Sequence, residues 1–220
     1  MKRTLALFLQ LLAAASFGGL AHSGPSKEKI TPPSTGHPKE GSYHSIVLGG
    51  GCFWCLEAVY ERIDGIQSVV SGYAGGDEPN PNYETVSSGT TGHAEVVKIT
   101  FDPGAISLEK ILDLFWKSHD PTTKDRQGAD VGPQYRSIIL YRGEPQRLAA
   151  EESRKRLNAS GLYSRPAVTE IAPLASFYEA EAYHQDYYEK NPLAGYCRVV
   201  IRPKLEKLGL DVRALPVPKP

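Results

Sequence analysis

The spacing of apolar residues changes several times between residues 44 and 179. "HSIVLG", from His44, is a short apolar run that ends in glycines and reads as a strand. From Cys52 the interval lengthens. Leu56, Val59, Tyr60 and Ile63 recur at helical spacing, which predicts a helix opening at Cys52. "IQSVVSGYAGG", from Ile66, is a strand running into a turn, and "HAEVVKITFDP", from His93, is a strand stopped by Asp102 and Pro103. Leu108, Ile111, Leu112, Phe115 and Trp116 mark a second helix, with Ser107 placed to cap it. "YRSIILYR", from Tyr135, is a further strand. A helix from about Glu144 to Asn158 and a strand around Val168 to Ile171 follow. Ser176 and Glu179 have the spacing of a capping box, so another helix is expected there. The order β-α-β-β-α-β is the ferredoxin-like split βαβ layout. The expected fold class is therefore α+β: a two-layer sandwich with extra helices and a coil-rich C-terminal segment.

The ends of the chain lack this periodicity. "MKRTLALFLQLLAAASFGGLAHS" has a basic start, a short apolar run and small residues near Ala21 and Ser23, the layout of a secretory signal peptide over residues 1–23. The run is too short and too broken by glycine for a good membrane span, so no stable membrane association is expected. Residues 24–43 are polar and rich in Pro, Gly and Ser, and read as a disordered linker. A catalytic domain is expected over residues 44–213 and a flexible tail over 214–220.

Composition narrows the function. Lysine plus arginine equal aspartate plus glutamate, 25 against 25, which gives no electrostatic footprint for a nucleic-acid partner. Loss of residues 1–23 would remove Lys2 and Arg3 and leave a balance of −2. Three cysteines, an odd number in an exported chain, leave at least one thiol free or a pairing that changes.

Those cysteines admit three chemistries. Structural zinc wants four ligands, and here the Cys52–Cys55 pair stands alone, with Cys197 far downstream, His184 as the best fourth candidate and no second C-x-x-C pair. A general dithiol–disulfide oxidoreductase would use Cys52 and Cys55 at a helix start after a strand, although such sites place small residues or proline between the sulfurs. The third reading is one activated nucleophile. Cys52 sits where a strand meets a helix, so the helix N-terminus would favour its thiolate. Glycines 49–51 let the chain turn and a substrate approach. Phe53 and Trp54 then form an apolar recess beside the sulfur. On the strand from His93, Glu95 shares a face with Val97, Ile99 and Phe101, so desolvation should keep its carboxyl protonated. A protonated acid near a nucleophilic sulfur suits a reaction in which an oxygen must leave.

"GCFW" at Gly51–Trp54, "GYAGGDEPNPNYETVSSGTTGHAEVV" at Gly72–Val97, "SHDPT" at Ser118–Thr122, "GADVGPQYRS" at Gly128–Ser137 and "YHQDYYEKNPLAGYC" at Tyr183–Cys197 together resemble the class A peptide methionine sulfoxide reductases. The resemblance implies thiol-dependent reduction of methionine S-sulfoxide, free or in proteins, as repair after oxidative damage. It implies Cys52 as the nucleophile and Glu95 as the acid that protonates the sulfoxide oxygen. Tyr83 and Tyr135 would hydrogen-bond that oxygen, Asp130 would help organise the site, and Phe53 and Trp54 would receive the substrate's methyl group. Cys52 would become a sulfenic acid, and a second thiol would convert it to a disulfide that a thioredoxin-like reductant reopens. No cofactor and no metal are implied, and a monomer is expected. Cys55 stands where the family often has glycine. "GYC" at Gly195–Cys197 resembles the family's resolving position, so a Cys52–Cys197 bond is expected first, with Cys55 a bystander or a relay. A leader of this kind places the enzyme outside the cytosol, secreted or periplasmic.

Overall fold

The computed structural model describes residues 44–216. The expected signal peptide, the linker and the last four residues of the tail lie outside the described residues. Strand β1 (His44–Gly49) pairs antiparallel with β3 (Ala94–Phe101), with His44 opposite Phe101 and Leu48 opposite Val97. β2 (Ile66–Ala74) flanks β3 antiparallel, and β6 (Ile138–Tyr141) flanks β1 antiparallel. These four strands lie in the order β6-β1-β3-β2. The helices α1 (Phe53–Tyr60) and α3 (Leu108–Ser118) form the two crossovers, which is the expected ferredoxin-like arrangement.

Each edge then gains a strand. α4 (Glu144–Ala159) leads to β7 (Glu170–Pro173), which lies parallel to β6 with Ile138 opposite Glu170. At the other edge β8 (Phe177–Glu179) pairs antiparallel with β2. The helix expected from the capping box at Ser176 and Glu179 is therefore not formed. The free backbone groups of the β2 edge take Phe177–Glu179 into the ladder instead. Gly72 leaves room for it, since a Cβ there would fall 2.4 Å from the Phe177 ring. Pairing across the sheet overrides the local cap signal.

The helical layer buries Leu56, Tyr60, Ile111, Leu112 and Phe115 against Ile46, Leu48, Val97, Ile99 and Phe101 of the sheet. The opposite face, with Val47, Ala74, Val96, Ile138 and Leu140, packs against Ala172 of β7, Phe177 of β8 and Leu174 between them. α1 is buried on both sides. Cys55, Ala58 and Val59 turn from the sheet toward Tyr188, Cys197, Ile201 and Leu205. Cys197 opens a π-helical turn, Cys197–Ile201, that continues into α6 (Arg202–Leu208), so it lies in a more regular segment than its Pro- and Gly-bearing approach suggests. No helix among the described residues is long and apolar enough to cross a membrane.

Candidate active site

Gly49, Gly50 and Gly51 bring β1 into α1 with no side chain in the way. Gly51 has φ +91°, and a Cβ there would meet the Gln127 side chain at 2.7 Å. Cys52 occupies the N-cap of α1, and the Cys55 N–H donates to its carbonyl at 3.1 Å to close the first turn. Cys52 retains 7% exposure, whereas Cys197 has none. Of the two sulfurs, Cys52 is the one a substrate can reach.

Glu95 is the second residue of β3 and points under the N-terminus of α1, where its Oε2 accepts the Phe53 N–H at 3.1 Å. Its neighbours on that face, Val97, Ile99 and Phe101, are core residues, and Glu95 itself is 2% exposed. Burial raises its pKa to about 8, with Asp130 adding to the rise, against the Phe53 N–H and the Cys52 thiol, which favour the carboxylate. Glu95 therefore carries its proton at neutral pH, as the strand pattern suggested.

The thiol behaves otherwise. Burial pushes Cys52 well above the usual thiol range, and the nearby Glu95 and Cys55 push it further. The Trp54 N–H pulls it down without overcoming this. The free site is thus a neutral thiol beside a neutral acid. The helix N-terminus alone does not give a resting thiolate, because desolvation outweighs it and the first free N–H of the helix serves Glu95.

Around this pair stands a half-circle of aromatic residues. Phe53 and Trp54 lie 6.1 Å apart between ring centroids, and Trp54 stacks on Tyr187 at 3.6 Å and 6°. Tyr83 opens α2 (Tyr83–Ser87) behind a capping box made by Asn82 and Thr85. Tyr135 ends a short 3₁₀ turn, Pro133–Tyr135, rather than beginning the strand that was expected to include it. Gly132 and Pro133 fold that turn back, and the strand starts three residues later, at Ile138. Tyr83 and Tyr135 both pack against the cluster that holds Cys52 and Phe53, and burial, then Glu95, then Cys52 raise the pKa of both hydroxyls, so they keep their protons at neutral pH.

Asp130 lies on a two-residue strand, β5 (Asp130–Val131), paired with β4 (Arg126–Gln127). It accepts a 2.7 Å hydrogen bond from Tyr196. The Tyr196 hydroxyl is spent as donor on Asp130, so it accepts from the Cys55 thiol at 3.7 Å. Tyr196 is therefore the bridge between Asp130 and the cysteines, a role the residue-by-residue reading did not assign. Its position beside Cys197, in "GYC", was the available signal. Glu181 is a second such residue: it accepts from the Tyr73 hydroxyl at 2.8 Å and the Tyr83 N–H at 2.9 Å, fixing α2 over the site.

All three cysteines are free thiols. Cys55 and Cys197 share one apolar cluster on the far side of α1, and burial followed by the nearby Cys55 raises Cys197 to about 11. Cys55 thus shares that cluster with Cys197 and the first turn of α1 with Cys52. A cleft of about 270 Å³ lined by Cys52, Cys55, Gln127, Asp130, Tyr196 and Lys204 opens on the first two. His184, the candidate fourth zinc ligand, instead accepts the Trp54 indole N–H at 3.2 Å. Among the described residues no three His, Cys, Asp or Glu converge as a metal site.

A nucleophilic sulfur, a buried protonated acid and two tyrosine hydroxyls around an apolar recess suit removal of oxygen from a small, weakly basic oxide. The chain matches the family model described as peptide methionine sulfoxide reductase over residues 44–213. It is 58% identical over 160 residues to the peptide methionine sulfoxide reductase MsrA of Leptospira borgpetersenii, covering 73% of this chain and 90% of the relative. The MsrA of Saccharolobus solfataricus is 56% identical over 160 residues, 73% of this chain and 89% of that one. Among solved structures, the reduced form of Mxr1 from Saccharomyces cerevisiae aligns with TM-score 0.67 at 34% identity, covering 71% of this chain and 90% of the other. Methionine sulfoxide reductase A of Corynebacterium diphtheriae aligns with TM-score 0.64 at 36% identity, covering 71% and 78%. The chain belongs to the class A peptide methionine sulfoxide reductases, oxidoreductases that reduce methionine sulfoxide with thiols.

Proposed function

We propose that Cys52 attacks the sulfur of methionine S-sulfoxide while Glu95 supplies the proton its oxygen needs. The observation that carries this reading is the buried, protonated Glu95 held by the Phe53 N–H beside Cys52. Proton transfer from Glu95 to the oxygen leaves a carboxylate within reach of the Cys52 thiol, which is otherwise too high in pKa to ionise. That carboxylate takes the thiol proton as the S–S bond forms, so acid and nucleophile are activated in one exchange. The net step is balanced. Thiol plus sulfoxide give a Cys52 sulfenic acid plus methionine, and the oxygen moves from one sulfur to the other.

Tyr83 and Tyr135 donate to the developing oxygen, and Phe53 and Trp54 receive the methyl group. Asp130 acts through Tyr196 to hold the two sulfurs. Methyl, oxygen and attacking sulfur then occupy three fixed places around a pyramidal centre, so one epimer alone presents its remaining chain outward. Assays with resolved S and R sulfoxides and dithiothreitol test this; turnover of the R form at a rate matching the S form would refute it.

In place of the Cys52–Cys197 bond expected first, resolution here begins with Cys55, which lines the same cleft as Cys52 and whose thiol condenses with the sulfenic acid to release water. Cys197 next exchanges onto Cys55 and frees Cys52, because Cys197 shares one apolar cluster with Cys55. A thioredoxin-like dithiol takes the bond in turn, becoming oxidised as two protein thiols are restored. The protein works as a monomer on oxidised proteins or free methionine sulfoxide, outside the cytosol, after loss of a leader ending near Ala21 or Ser23. N-terminal sequencing of the protein from its native host decides the last point. An intact Met1 on soluble cytosolic protein contradicts export.

A further inference from the structure

The space around Cys52 does not end at its own cleft. Gln127 and Lys204, which line that cleft, also line a second one of about 440 Å³ between the end of α3 and α6. Lys117, in the last turn of α3, and Lys207, in the last turn of α6, stand on its wall with Lys204. The neutral polar groups of that wall are already bonded. The Gln127 amide accepts the Asp120 N–H and donates to the Asp120 carbonyl, both at 3.2 Å. The Tyr163 hydroxyl shares its proton between the Trp116 and His119 carbonyls, at 2.7 and 3.0 Å. The Ser118 hydroxyl donates to the Phe115 carbonyl at 2.8 Å. His119 donates from Nδ1 to the same carbonyl and accepts from the Ser137 hydroxyl, both at 2.7 Å. Burial lowers its pKa to about 4, opposed by the Phe115 carbonyl and aided by Lys204, so the ring is uncharged at neutral pH.

The three ammonium groups are the exception. Lys155 of α4 pairs with Glu152 at 3.9 Å, and Lys190 of α5 (Tyr187–Lys190) pairs with Asp186 at 3.1 Å. Among the described residues no carboxylate lies within 4.0 Å of Lys117, Lys204 or Lys207. Asp120 is the one carboxylate of the wall, and its Oδ1 is taken by the Thr122 N–H and hydroxyl at 2.9 and 2.7 Å. Three cations against one anion leave the wall formally at +2. Lys117 and Lys207 are exposed and Lys204 is half-buried, so all three can meet a ligand. The helix dipole favours a cation in a last turn, which accounts for Lys117 and Lys207 taken singly. It accounts neither for Lys204 nor for the convergence of all three on one cleft.

We propose that this lysine-lined cleft is a substrate subsite for acidic side chains, so that methionine sulfoxide is taken preferentially from segments that carry Asp or Glu a few residues to one side of it. This rests on the reading of Cys52 as the attacking sulfur. A peptide whose sulfoxide lies at Cys52 must lead its chain out of the active-site cleft. The wall shared through Gln127 and Lys204 takes one direction of that chain past the three ammonium groups. Carboxylates suit them, because an ammonium on a flexible stem pairs as a point charge without a fixed geometry. A nucleic acid fits poorly, since the patch is local and the whole chain sets 25 basic residues against 25 acidic ones. An acidic face of the reductant is the rival occupant. Continuity favours the substrate: the shared wall leads to Cys52, whereas Cys197, where the bond passed to the reductant ends, lines neither cleft.

The test uses the full chain with dithiothreitol, which takes any protein reductant out of the assay, and peptides of one length with a single methionine S-sulfoxide. A pair of Asp residues is placed before or after the sulfoxide, about 10 Å away along an extended chain, with Asn pairs and Lys pairs as controls. At low salt one of the two Asp peptides should show kcat/KM about five- to tenfold above its Asn control, through KM, as two or three exposed charge pairs allow. High salt should erase the difference. Lys117→Gln with Lys207→Gln should bring the Asp-to-Asn ratio close to one. Lys117→Glu with Lys207→Glu should turn the preference toward the Lys peptide, a gain that misfolding cannot produce. Fluorescence anisotropy of the same peptides, labelled at one end and carrying methionine in place of the sulfoxide, reads the subsite without turnover and should rank them in the same order. Equal kcat/KM for the Asp and Asn peptides on both sides overturns the proposal, as does an Asp preference that survives the charge reversal. Variants that keep the peptide ratio but recycle more slowly with a thioredoxin-like protein would assign the cleft to the reductant and overturn it too. A wild type that binds the Asp peptides best but reduces none of the sulfoxides would uphold the subsite and sink the Cys52 reading beneath it.

Discussion

The two sides of α1 are built from different parts of the chain and do different work. Its sheet side carries Phe53, Leu56 and Tyr60 against β1 and β3, so Cys52 and Glu95 come together through short, early contacts of the central sheet. Its other side carries Cys55, Ala58 and Val59 against Cys197, Ile201 and Leu205, all supplied by the last quarter of the chain. The first side holds a neutral acid and thiol in rigid packing. The second is a separate cluster closed over by a π-helical turn, a geometry that leaves one carbonyl–amide register out of step. The contrast is a division between the Cys52 site, set in the central sheet's core, and a second cluster of Cys55 and Cys197 that the end of the chain closes over.

The largest effect should come from Glu95→Gln, which retains the side-chain shape and the acceptor for the Phe53 N–H but removes the proton. General acid catalysis is worth about 10²–10⁴-fold, so the first single-turnover step should slow by that order. The wild-type rate should fall as pH rises through about 8, where Glu95 loses its proton. The variant should lack that alkaline limb. Tyr83→Phe and Tyr135→Phe should each cost less, since one hydroxyl remains. A Glu95→Gln enzyme with the wild-type single-turnover rate would remove the acid from the reaction.

The other side of α1 should respond in a different kinetic phase. Cys197→Ser is expected to make about one equivalent of methionine per chain at an unaltered rate and then recycle poorly with a dithiol protein. Cys55→Ser should accumulate the Cys52 sulfenic acid, which dimedone traps and mass spectrometry counts. If Cys197→Ser recycles fully and wild type shows only a Cys52–Cys55 bond, the C-x-x-C itself is the complete redox pair. If oxidised wild type shows Cys52–Cys197 with Cys55 still free, Cys55 is a bystander.

This division also explains what the sequence disclosed. Period alone located β1, α1, β2, β3 and α3, because each buries a continuous apolar stripe in one core. Glu95 was legible for the same reason, as the one carboxyl in an apolar row. Beyond Ser160 the signals weaken: β7 begins at Glu170 rather than Val168, and β8 replaces an expected helix, because both are edge strands whose partners lie far away in sequence. The roles of Tyr196, Glu181 and His184 were not readable from spacing. Each acts through a hydrogen bond to a residue more than 60 positions away, on Asp130, Tyr73 and Trp54. Only the assembled fold creates those pairs.

The smallest effect on chemistry should come from acids that α1 buries away from its sulfur. Glu57 accepts from the Ser71 hydroxyl and the Tyr187 N–H at 2.9 and 3.0 Å. Burial raises it to about 7, opposed by those two hydrogen bonds. One turn on, burial raises Glu61 to about 9, with Glu57, Glu189 and Asp186 adding to the rise and Arg62 opposing it. In the unfolded chain both ionise near the ordinary carboxyl value of about 4.3. Between that value and about 9 the folded protein keeps protons that the unfolded chain gives up. Such groups favour the fold at low pH, and their contribution is lost as pH rises through 7 and then 9. The melting temperature should therefore decline from pH 5.5 to 9. Glu61→Gln, a neutral group of the same shape, should flatten the upper part of that decline and melt higher than wild type at pH 9. The gap should narrow as pH falls toward about 4.3 and close only below it, where Glu61 is neutral in both the folded and the unfolded chain. Its single-turnover rate should match the wild type, because Glu61 touches no reacting atom. A melting curve against pH that is parallel in the two proteins would mean that Glu61 is ionised in the fold, and that Arg62 outweighs the surrounding acids.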